Sequence, residues 1–450
     1  MAFDHPVVRL GDYVDACLGK MLDAQKNRGE LHPYLGNSNV RWGSFELEEL
    51  SAMRFEDHEQ ERYGIRDGDL IVCEGGEPGR CAIWRGNAPM KIQKALHRVR
   101  TKTGLDNYFL YYWFLQAGST GELEPFFTGT TIKHLTGKAL AELRIPLPPI
   151  QWQRKVAKVL RSLDAKIDLN RQINQTLEAM AQAIFKSWFV DFDPVKAKIA
   201  ALAAGRDPLR AAMSAISGKT EAELDSLPPE PYQQLAATAA LFPEEMEESE
   251  LGEIPKGWSF KAVDDIAQFA DGRIEVSSLT EDVYISTENM LENRAGVTRA
   301  ASLPSAATVP SFKTGQILVS NIRPYFKKIW MARFDGGRSP DVLAFEPKDY
   351  QCTEFVYNLM YQDAFFEFMT RTAKGAKMPR GDKDAIMAWT FPCPDEPLMV
   401  TFSETVRPNY AHIESLNLQS KSLTDLRDTL LPKLLSGELS VEGLMAEVEA

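Results

Sequence analysis

The feature that most constrains the fold of this chain is an internal repeat. At a constant offset of 246 positions, residues 145–184 match residues 391–430 in the order of their apolar side chains and prolines. Ile145-Pro146 aligns with Phe391-Pro392, and the apolar pairs continue from there to Ile184 and Leu430. Because the matches keep one order over a long stretch, we predict that the chain consists of two halves built on the same plan.

Upstream segments extend the repeat. GTTIKHL (129–135) aligns with GAKMPRG (375–381) at the same offset, and GDLIV (68–72) aligns with GQILV (315–319) one residue off. In each half, short β-like runs punctuated by Gly and Pro precede an aromatic helix, predicted over 107–118 and over 354–369. A long helix then closes each half.

The two long helices carry a narrow apolar stripe. Apolar residues recur in alternating steps of four and three, which is the seam of a coiled coil. The seam residues are Val156, Leu160, Leu163, Ile167, Leu177 and Ile184 in the first helix and Phe402, Val406, Ile413, Leu416, Leu423 and Leu430 in the second. A narrow stripe favours pairing of the two helices over two separate core helices, which is the alternative. We expect Pro408 and Pro432 to kink the second helix.

These patterns predict an α+β fold. It consists of two similar mixed α/β domains separated by a long antiparallel two-helix coiled-coil spacer, with an internal pseudo-twofold repeat. A domain at each end of a stiff spacer would suit a ligand with two separated features. Double-stranded DNA is such a ligand, since successive half-sites lie about 34 Å apart per helical turn.

Composition and motifs exclude several classes of protein. The net charge is −12, and the five cysteines form no CxxC pair, which favours a reduced cytoplasmic protein. The N-terminus lacks the apolar region of a signal peptide, and the longest apolar stretch, YFLYYWFL (108–115), is too short to span a membrane. The six histidines form no HxxxH or HExxH pair of metal ligands.

No motif predicts catalysis. GKT (218–220) lacks the glycine spacing of a phosphate-binding loop, and NIRPY (321–325) departs from the N-P-P-Y motif of adenine methyltransferases. Asp341 and Glu346 match the acidic positions of the PD…ExK nuclease motif. However, they are five residues apart on one predicted strand, so their side chains would point to opposite faces of the sheet. We predict no catalytic residue, no cofactor and no metal in this chain.

The first long helix ends in an aromatic segment, FKSWFVDFDP (185–194). We predict that Phe185, Trp188, Phe189 and Phe192 pack against the second domain or contact a partner subunit. The alternative is an ordinary intrachain core. Pro194 is expected to end the helix.

Several segments together resemble the specificity subunit of type I restriction–modification enzymes. They are ELGEIPKGW, IPLPPIQWQ, NRQI, FKSWFVDFDPVKAK and LRDTLLPKLLSGEL, and the resemblance covers nearly the whole chain. It implies a non-catalytic cytoplasmic subunit that recognises a bipartite sequence in double-stranded DNA. Its implied partners are two methylation subunits, which would carry S-adenosylmethionine, and ATP-dependent restriction subunits. The alternative is a stand-alone DNA-binding scaffold or anti-phage component without a methyltransferase partner.

The resemblance also implies a division of the chain into domains. The predicted segments are a first target recognition domain (1–147), the first spacer helix (148–193), an acidic, Pro-rich connector (194–254), a second target recognition domain (255–397), the second spacer helix (398–436) and a C-terminal tail (437–450).

Basic and hydroxyl side chains near the glycine-rich loops are the candidates for DNA contacts, because Lys and Arg bind phosphates and fix the register of the protein on the duplex. The candidates are Arg80, Lys91, Lys94, Thr131 and Lys133 in the first domain and Arg323, Lys327, Lys328, Lys374, Lys377 and Arg380 in the second. The alternative for each group is a solvated surface charge.

Overall fold

The computed structural model describes residues 5–23, 27–48, 50–249 and 252–439. It divides into two compact units, the first formed by residues 1–170 and 418–450 and the second by residues 171–417. Both unit boundaries therefore lie inside the long helices, and each unit contains one half of each helix.

The first unit contains twelve strands among its described residues. They are β1 (Val7–Arg9), β2 (Val14–Leu18), β3 (Glu30–Leu35), β4 (Val40–Arg41), β5 (Ser44–Phe45), β6 (Ala52–Phe55), β7 (Gly64–Ile65), β8 (Leu70–Cys73), β9 (Cys81–Ile83), β10 (Met90–Ile92), β11 (Leu96–Thr101) and β12 (Arg144–Pro146). The helices that begin in this unit are α1 (Leu10–Tyr13), α2 (Asp57–Tyr63), α3 (Asn107–Thr120), α4 (Gly137–Glu142) and the long α5 (Ile150–Phe189).

The second unit contains the remaining elements. Its strands are β13 (Met246–Ser249), β14 (Gly252–Pro255), β15 (Ser259–Ala262), β16 (Ala267–Phe269), β17 (Arg273–Glu275), β18 (Tyr284–Ile285), β19 (Thr308–Phe312), β20 (Ile317–Ser320), β21 (Ile329–Met331), β22 (Gly336–Arg338), β23 (Val342–Pro347) and β24 (Thr390–Cys393). Its helices are α6 (Asp193–Ala203), α7 (Pro208–Ser217), α8 (Glu221–Asp225), α9 (Pro229–Ala240), α10 (Val263–Ile266), α11 (Thr353–Tyr361), α12 (Asp363–Thr372), α13 (Lys383–Met387) and the long α14 (Glu396–Leu435).

The two units repeat one topology, as the sequence predicts. Each contains an antiparallel four-stranded sheet, in the order β2-β11-β8-β9 in the first unit and β16-β23-β20-β21 in the second. Each also pairs an early strand with its last strand, β1 with β12 and β15 with β24. Both long helices have 40 residues, and both of their ends are displaced by the same 246 positions. The predicted α+β class with an internal repeat is confirmed.

One central strand in each of these two antiparallel sheets, β8 and β20, is almost entirely apolar because both of its faces are buried. In β8, Leu70 and Val72 pack into one core and Ile71 and Cys73 into another. Successive side chains of a strand point to opposite faces, so one continuous apolar run serves two cores. β20 of the second unit follows the same rule, with Ile317 and Leu318 in different cores.

The second sheet differs at its edge. In the first unit its order is β6-β3-β10-β7, and in the second it is β17-β19-β22-β18. Both sheets contain one parallel pair, β3 with β10 and β18 with β22. The extra strand joins the early strand β3 in the first unit and the later strand β19 in the second. The repeat is therefore complete in the inner strands and varies at the sheet edges.

The long helices run antiparallel within each unit. In the first unit, Arg427 donates to Asp164 (2.9 Å) and Asn170 donates to Gln419 (2.8 Å), so positions rise in one helix as they fall in the other. In the second unit, Asn174 donates to Asn417 (2.7 Å), and Tyr410 donates to Glu178 (3.4 Å). Polar side chains thus occupy the middle of the seam, where buried amides fix the pairing register.

All twelve predicted seam residues face the interior. Val156, Leu160, Phe402, Val406 and Leu416 are buried. The other seven are half-buried, and they are Leu163, Ile167, Leu177, Ile184, Ile413, Leu423 and Leu430. α14 continues through Pro408 and Pro432, so neither proline ends it.

The aromatic residues at the end of α5 and just after it are buried inside the second unit. Phe185, Trp188, Phe189 and Phe192 are 1%, 2%, 5% and 8% exposed in this chain alone, in the core of the second unit. They contact Phe402 and aromatic residues of the same unit, including Trp258, so they offer little surface to a partner subunit. The predicted packing against the second domain is therefore observed, and the partner-subunit contact predicted for these four side chains is corrected to an intrachain core.

Pro194 does not end the first long helix. α5 ends at Phe189, and Pro194 lies in the first turn of α6. Proline suits that position because the first helical N–H groups have no intrahelical acceptor. The break instead occurs at Phe192, whose φ of 57° is left-handed. The predicted helix over 354–369 is likewise two helices, α11 and α12, separated by the extended backbone of Gln362.

The connector forms a small helical cluster. Ala212, Met213, Leu224 and Ala239 of α7, α8 and α9 are buried against one another. Lys198 of α6 is also buried, and its Nζ donates to the Phe242 carbonyl (2.6 Å). Across the described ranges, no helix combines the length and the apolar character needed to cross a membrane.

Candidate nucleic-acid interface

Each unit presents a short hairpin loop at an equivalent position. We define the first hairpin as residues 128–134 and the second as residues 374–380. In the first, the Thr128 and His134 backbones exchange two hydrogen bonds of 2.8 Å. In the second, Lys374 and Arg380 do the same at 2.8 and 2.9 Å. The two loops occupy the aligned GTTIKHL and GAKMPRG segments, so the repeat extends to their backbone pairing.

Glycine permits the turn at the same place in both hairpins. Gly129 has φ of +96° and Gly375 has φ of +102°, which other residues rarely adopt. A Cβ on Gly129 would lie 2.3 Å from the Ile132 carbonyl oxygen, and a Cβ on Gly375 would lie 3.3 Å from the Met378 carbonyl oxygen. Gly129 is therefore required by the close approach of the backbone as well as by its φ.

The hairpins are anchored to the loop that follows the central strand of the sheet. Leu135 N–H donates to the Glu74 carbonyl (2.7 Å), and Gly381 N–H donates to the Asn321 carbonyl (3.1 Å). Directly after each hairpin, a capping side chain begins a short helix: Thr136 accepts from Ala139 N–H, and Asp382 accepts from Ala385 N–H. Sheet and helix together hold each hairpin in a defined position.

The second unit brings its two predicted basic loops together. Arg323 N–H donates to the Pro379 carbonyl (2.8 Å), which ties residues 321–328 to the second hairpin. Arg323 and Lys327 both have a left-handed φ of 50°, a strained conformation that is common at functional sites. The exposed side chains on this combined surface include Arg323, Tyr325 and Lys377.

Ion pairs fix part of this surface and leave two cations available. Arg380 donates to Asp341 (3.0 Å), and Lys374 pairs with Asp382; the Lys374 hydrogen bond lowers the pKa of the Asp382 carboxyl. Within the described residues, the side chains of Arg323 and Lys377 have neither a hydrogen-bond nor an ion-pair partner. Among the predicted DNA-contacting cations of the second unit, these two are therefore free to bind phosphate.

The first unit presents a less basic surface. Thr131 and Lys133 are exposed on the hairpin, and the Lys133 Nζ lies 3.7 Å from the Glu124 carboxylate. Lys94 is also exposed, in the turn between β10 and β11.

Two candidates of the first unit have structural roles instead. Lys91 is buried on β10, its Nζ donates to the Gln60 carbonyl (3.0 Å) at the end of α2, and burial lowers its pKa. Arg80 donates to Glu77 (3.0 Å) and to the Asn37 carbonyl (3.1 Å). Lys91 is therefore not presented to DNA, and we correct that prediction. Arg80 is half-buried and held within the chain, and its contact with DNA stays a prediction.

Two candidates of the second unit are also engaged internally. Lys327 pairs with Asp363 (2.7 Å), and Lys328 donates to the Thr287 carbonyl (2.9 Å). Both side chains are half-buried, and their contact with DNA stays a prediction. The candidates that lie on the surface are Lys94, Thr131, Lys133, Arg323, Lys374, Lys377 and Arg380.

Sequence reasoning missed the apolar tips of the hairpins. Ile132 is 62% exposed and Met378 is 46% exposed, and the two are aligned at the 246-residue offset. The aligned segments contained the information, because Ile132 and Met378 are large apolar residues at the same position of two mostly polar loops. Only the structure shows that these side chains point outward.

Comparison with known proteins agrees with this architecture. The family model described as "Type I restriction modification DNA specificity domain" matches residues 4–179. The chain is 32% identical over 339 residues to the Type I restriction enzyme HindI specificity subunit of Haemophilus influenzae, covering 69% of this chain and 72% of the relative. It is 24% identical over 398 residues to the MjaIX specificity subunit of Methanocaldococcus jannaschii, covering 84% and 79%.

A solved structure has the same fold. The crystal structure of the S subunit of a type I restriction–modification system from M. genitalium matches with a TM-score of 0.50 at 15% identity, covering 96% of this chain and 97% of that one. With its repeated topology, its paired long helices and a curated relative that is 32% identical over most of both chains, this chain belongs to the specificity subunits of type I restriction–modification enzymes.

Proposed function

We propose that this chain recognises a bipartite sequence in double-stranded DNA, with each unit reading one half through its hairpin and the neighbouring loop. The observation that carries the proposal is the pair of hairpins, which share one backbone and one anchorage but expose different side chains. A duplicated scaffold with different surfaces is what two unlike half-sequences require, since sequence is read by side chains at base edges.

Binding to phosphates would orient the chain on the duplex. Arg323 and Lys377 are the free cations on the combined surface of the second unit, and Lys94 and Lys133 are the exposed candidates of the first unit. With a net charge of −12, the chain as a whole repels DNA, so these local cations are needed to define where DNA lies.

We propose two methylation subunits as partners, each docked on one unit. The aromatic end of α5 is buried, but another pair of apolar side chains remains available: Met180 is 50% exposed and Leu426 is 46% exposed. They are equivalent under the repeat, one in each unit. Two copies of one partner would bind equivalent surfaces, and a restriction subunit would join the methylation subunits to complete the nuclease.

The chain itself is proposed to have no catalytic role. S-adenosylmethionine would bind to the methylation subunits and ATP to the restriction subunits. One observation supports this. Asp341, the acidic residue that resembles part of a nuclease motif in the sequence, accepts a hydrogen bond of 3.0 Å from Arg380. The experiment is to incubate purified chain with DNA, S-adenosylmethionine and Mg²⁺, and we expect neither methylation nor cleavage. Turnover by the pure chain would contradict the proposal.

The proposed target is tested on the assembled enzyme. DNA exposed to the chain with its methylation subunits is sequenced by a single-molecule method that detects methylated adenine. We expect two short half-sequences of about three to five base pairs separated by a fixed unspecific gap. Methylation at a single contiguous sequence would contradict a bipartite target.

A further inference from the structure

We propose that the side chains of Ile132 and Met378, at the tips of the two hairpins, contact base edges in the major groove and each read the methyl group of a thymine in its own half of the target. This inference rests on the proposed function, because it names the side chains and the base that would carry recognition.

The first support is the placement of the two side chains. Single exposed apolar residues are common on protein surfaces and need no explanation. Here, however, the same position is apolar and exposed in both units, 62% for Ile132 and 46% for Met378. The neighbours on each hairpin are polar or cationic, including Thr131 and Lys133 in the first and Lys377 in the second.

The second support is the rigidity of the hairpins. Each is closed by two backbone hydrogen bonds and anchored to the sheet by a third. Gly129 and Gly375 fix the turn with left-handed φ values. A side chain held by such a frame loses little further conformational freedom on binding, so it can discriminate between bases at low entropic cost.

The width of the hairpins favours the major groove of DNA, and the apolar tips favour thymine within that groove. Each hairpin is a loop closed by one antiparallel bridge pair. The major groove of B-DNA admits elements as wide as a two-stranded β-ribbon, whereas the minor groove is about half as wide. In the major groove, the C5-methyl group of thymine is the apolar feature that an aliphatic side chain can contact. Thr131 and Lys377, directly before the tip residues, would lie near the neighbouring bases or phosphates.

The experiment selects preferred sequences from random double-stranded DNA with the full-length chain and with I132S and M378S. We expect I132S to lose the preference for thymine at one position of one half of the target. We expect M378S to lose it at one position of the other half. Leu31→Ser and Leu202→Ser are the matched controls, because Leu31 on β3 is 63% and Leu202 on α6 is 48% exposed and neither belongs to a hairpin. Neither control should change either half.

A second measurement tests the methyl contact itself. Each thymine of the selected target is replaced in turn by deoxyuridine, which lacks only the methyl group. One replacement in each half should weaken binding of the unsubstituted chain about fourfold, the effect of one buried methyl group, and should have no effect on the variant with serine at the matching tip.

Three results would overturn the inference. They are variants that weaken binding equally on every sequence, variants that change both halves, and a rise in 2-aminopurine fluorescence beside the thymine, which would place the tip between unstacked bases. If the unsubstituted chain selects no two-part sequence, that result contradicts the proposed function itself. It is distinguished from a failure of this inference because it needs no variant.

Discussion

The junction between the recognition domain and the long helices is built at equivalent positions in the two units, but with opposite polarity. In the first unit, the Tyr112 hydroxyl of α3 donates to the Asp164 carboxylate of α5 (2.6 Å). In the second, the equivalent positions hold Asn358 of α11 and Tyr410 of α14, and there the helix tyrosine donates to the domain amide (3.1 Å). The duplicated backbone preserves the contact while the donor and the acceptor exchange sides.

The exchange leaves the two junctions with different carboxyl chemistry. Asp164 of the first unit is paired with Arg427 (2.9 Å). In the second unit, Glu178 accepts from Tyr410 (3.4 Å), and burial raises the pKa of its carboxyl to about 7 despite hydrogen bonds from Gln182 and Tyr410. The first junction therefore contains an ion pair, whereas the second contains a carboxyl hydrogen-bonded to a tyrosine.

The largest expected effect comes from truncating the aromatic core of the second unit. Trp188 and Leu434 are equivalent under the repeat and both are buried. Trp188→Ala should lower the free energy of unfolding by about 4 kcal/mol and Leu434→Ala by about 3, because the larger side chain leaves the larger cavity. Chemical denaturation followed by circular dichroism measures both. Val190→Ala, at a position that is 48% exposed, is the control and should change stability by less than about 0.5 kcal/mol.

The second prediction separates the two junctions by pH. The folded-state pKa of Glu178 is raised, so folded protein holds a proton that unfolded protein releases above about pH 4.5. Stability should therefore fall as pH rises from about 4.5 to 7, by up to about 3 kcal/mol from this group. In E178Q the fall over this range should be smaller by that amount. An unchanged pH profile in E178Q would contradict the raised pKa of the Glu178 carboxyl.

The third prediction compares the two hairpin glycines. Gly129→Ala should destabilise the first hairpin by about 2 kcal/mol or more, because its Cβ would collide with a backbone carbonyl. Gly375→Ala should cost about 1 kcal/mol, because only the left-handed φ opposes it. Hydrogen exchange at the Thr128 and Lys374 amides measures the local opening. Equal effects at the two sites would contradict the difference between the two turns.

The smallest effect concerns phosphate contacts. With the assembled enzyme, Lys377→Met should reduce the slope of log affinity against log salt by about 0.9, as expected for one lost phosphate contact. Lys133→Met should reduce it less, because Glu124 already shares that cation. Lys328→Met is the internal control, since its ammonium serves the Thr287 carbonyl and should leave the slope unchanged.

The parts of the fold that repeat were predictable from the sequence. The offset of 246 located both long helices and aligned the two segments that form the hairpins, because equal spacing of apolar residues and glycines implies equal backbone geometry. The exchange of Tyr112–Asp164 for Asn358–Tyr410 was not predictable, because the letters at these positions share no chemistry. The burial of Lys91 was also not predictable. A basic residue in a predicted strand suggests a surface charge, and only the structure shows that Lys91 is buried and hydrogen-bonded to α2.

The aromatic end of α5 shows a further limit. Its composition predicted a buried surface but did not say whether this chain or a partner covers it. Phe402 and Phe355, which cover it, lie far away in sequence. The decision between core and partner contact depends on tertiary packing, which no local pattern records.

We propose that each unit reads one half of the target and that the two long helices, which run from one unit into the other, set the gap between the halves. The most direct test inserts seven residues that continue the seam after Asn170 and seven more after Asn417, at the boundaries between the units. Mapping of methylated adenines by the assembled enzyme should show both half-sequences unchanged and a gap longer by up to about three base pairs, since seven helical residues add about 10 Å. Altered half-sequences, or an unchanged gap, would contradict the account.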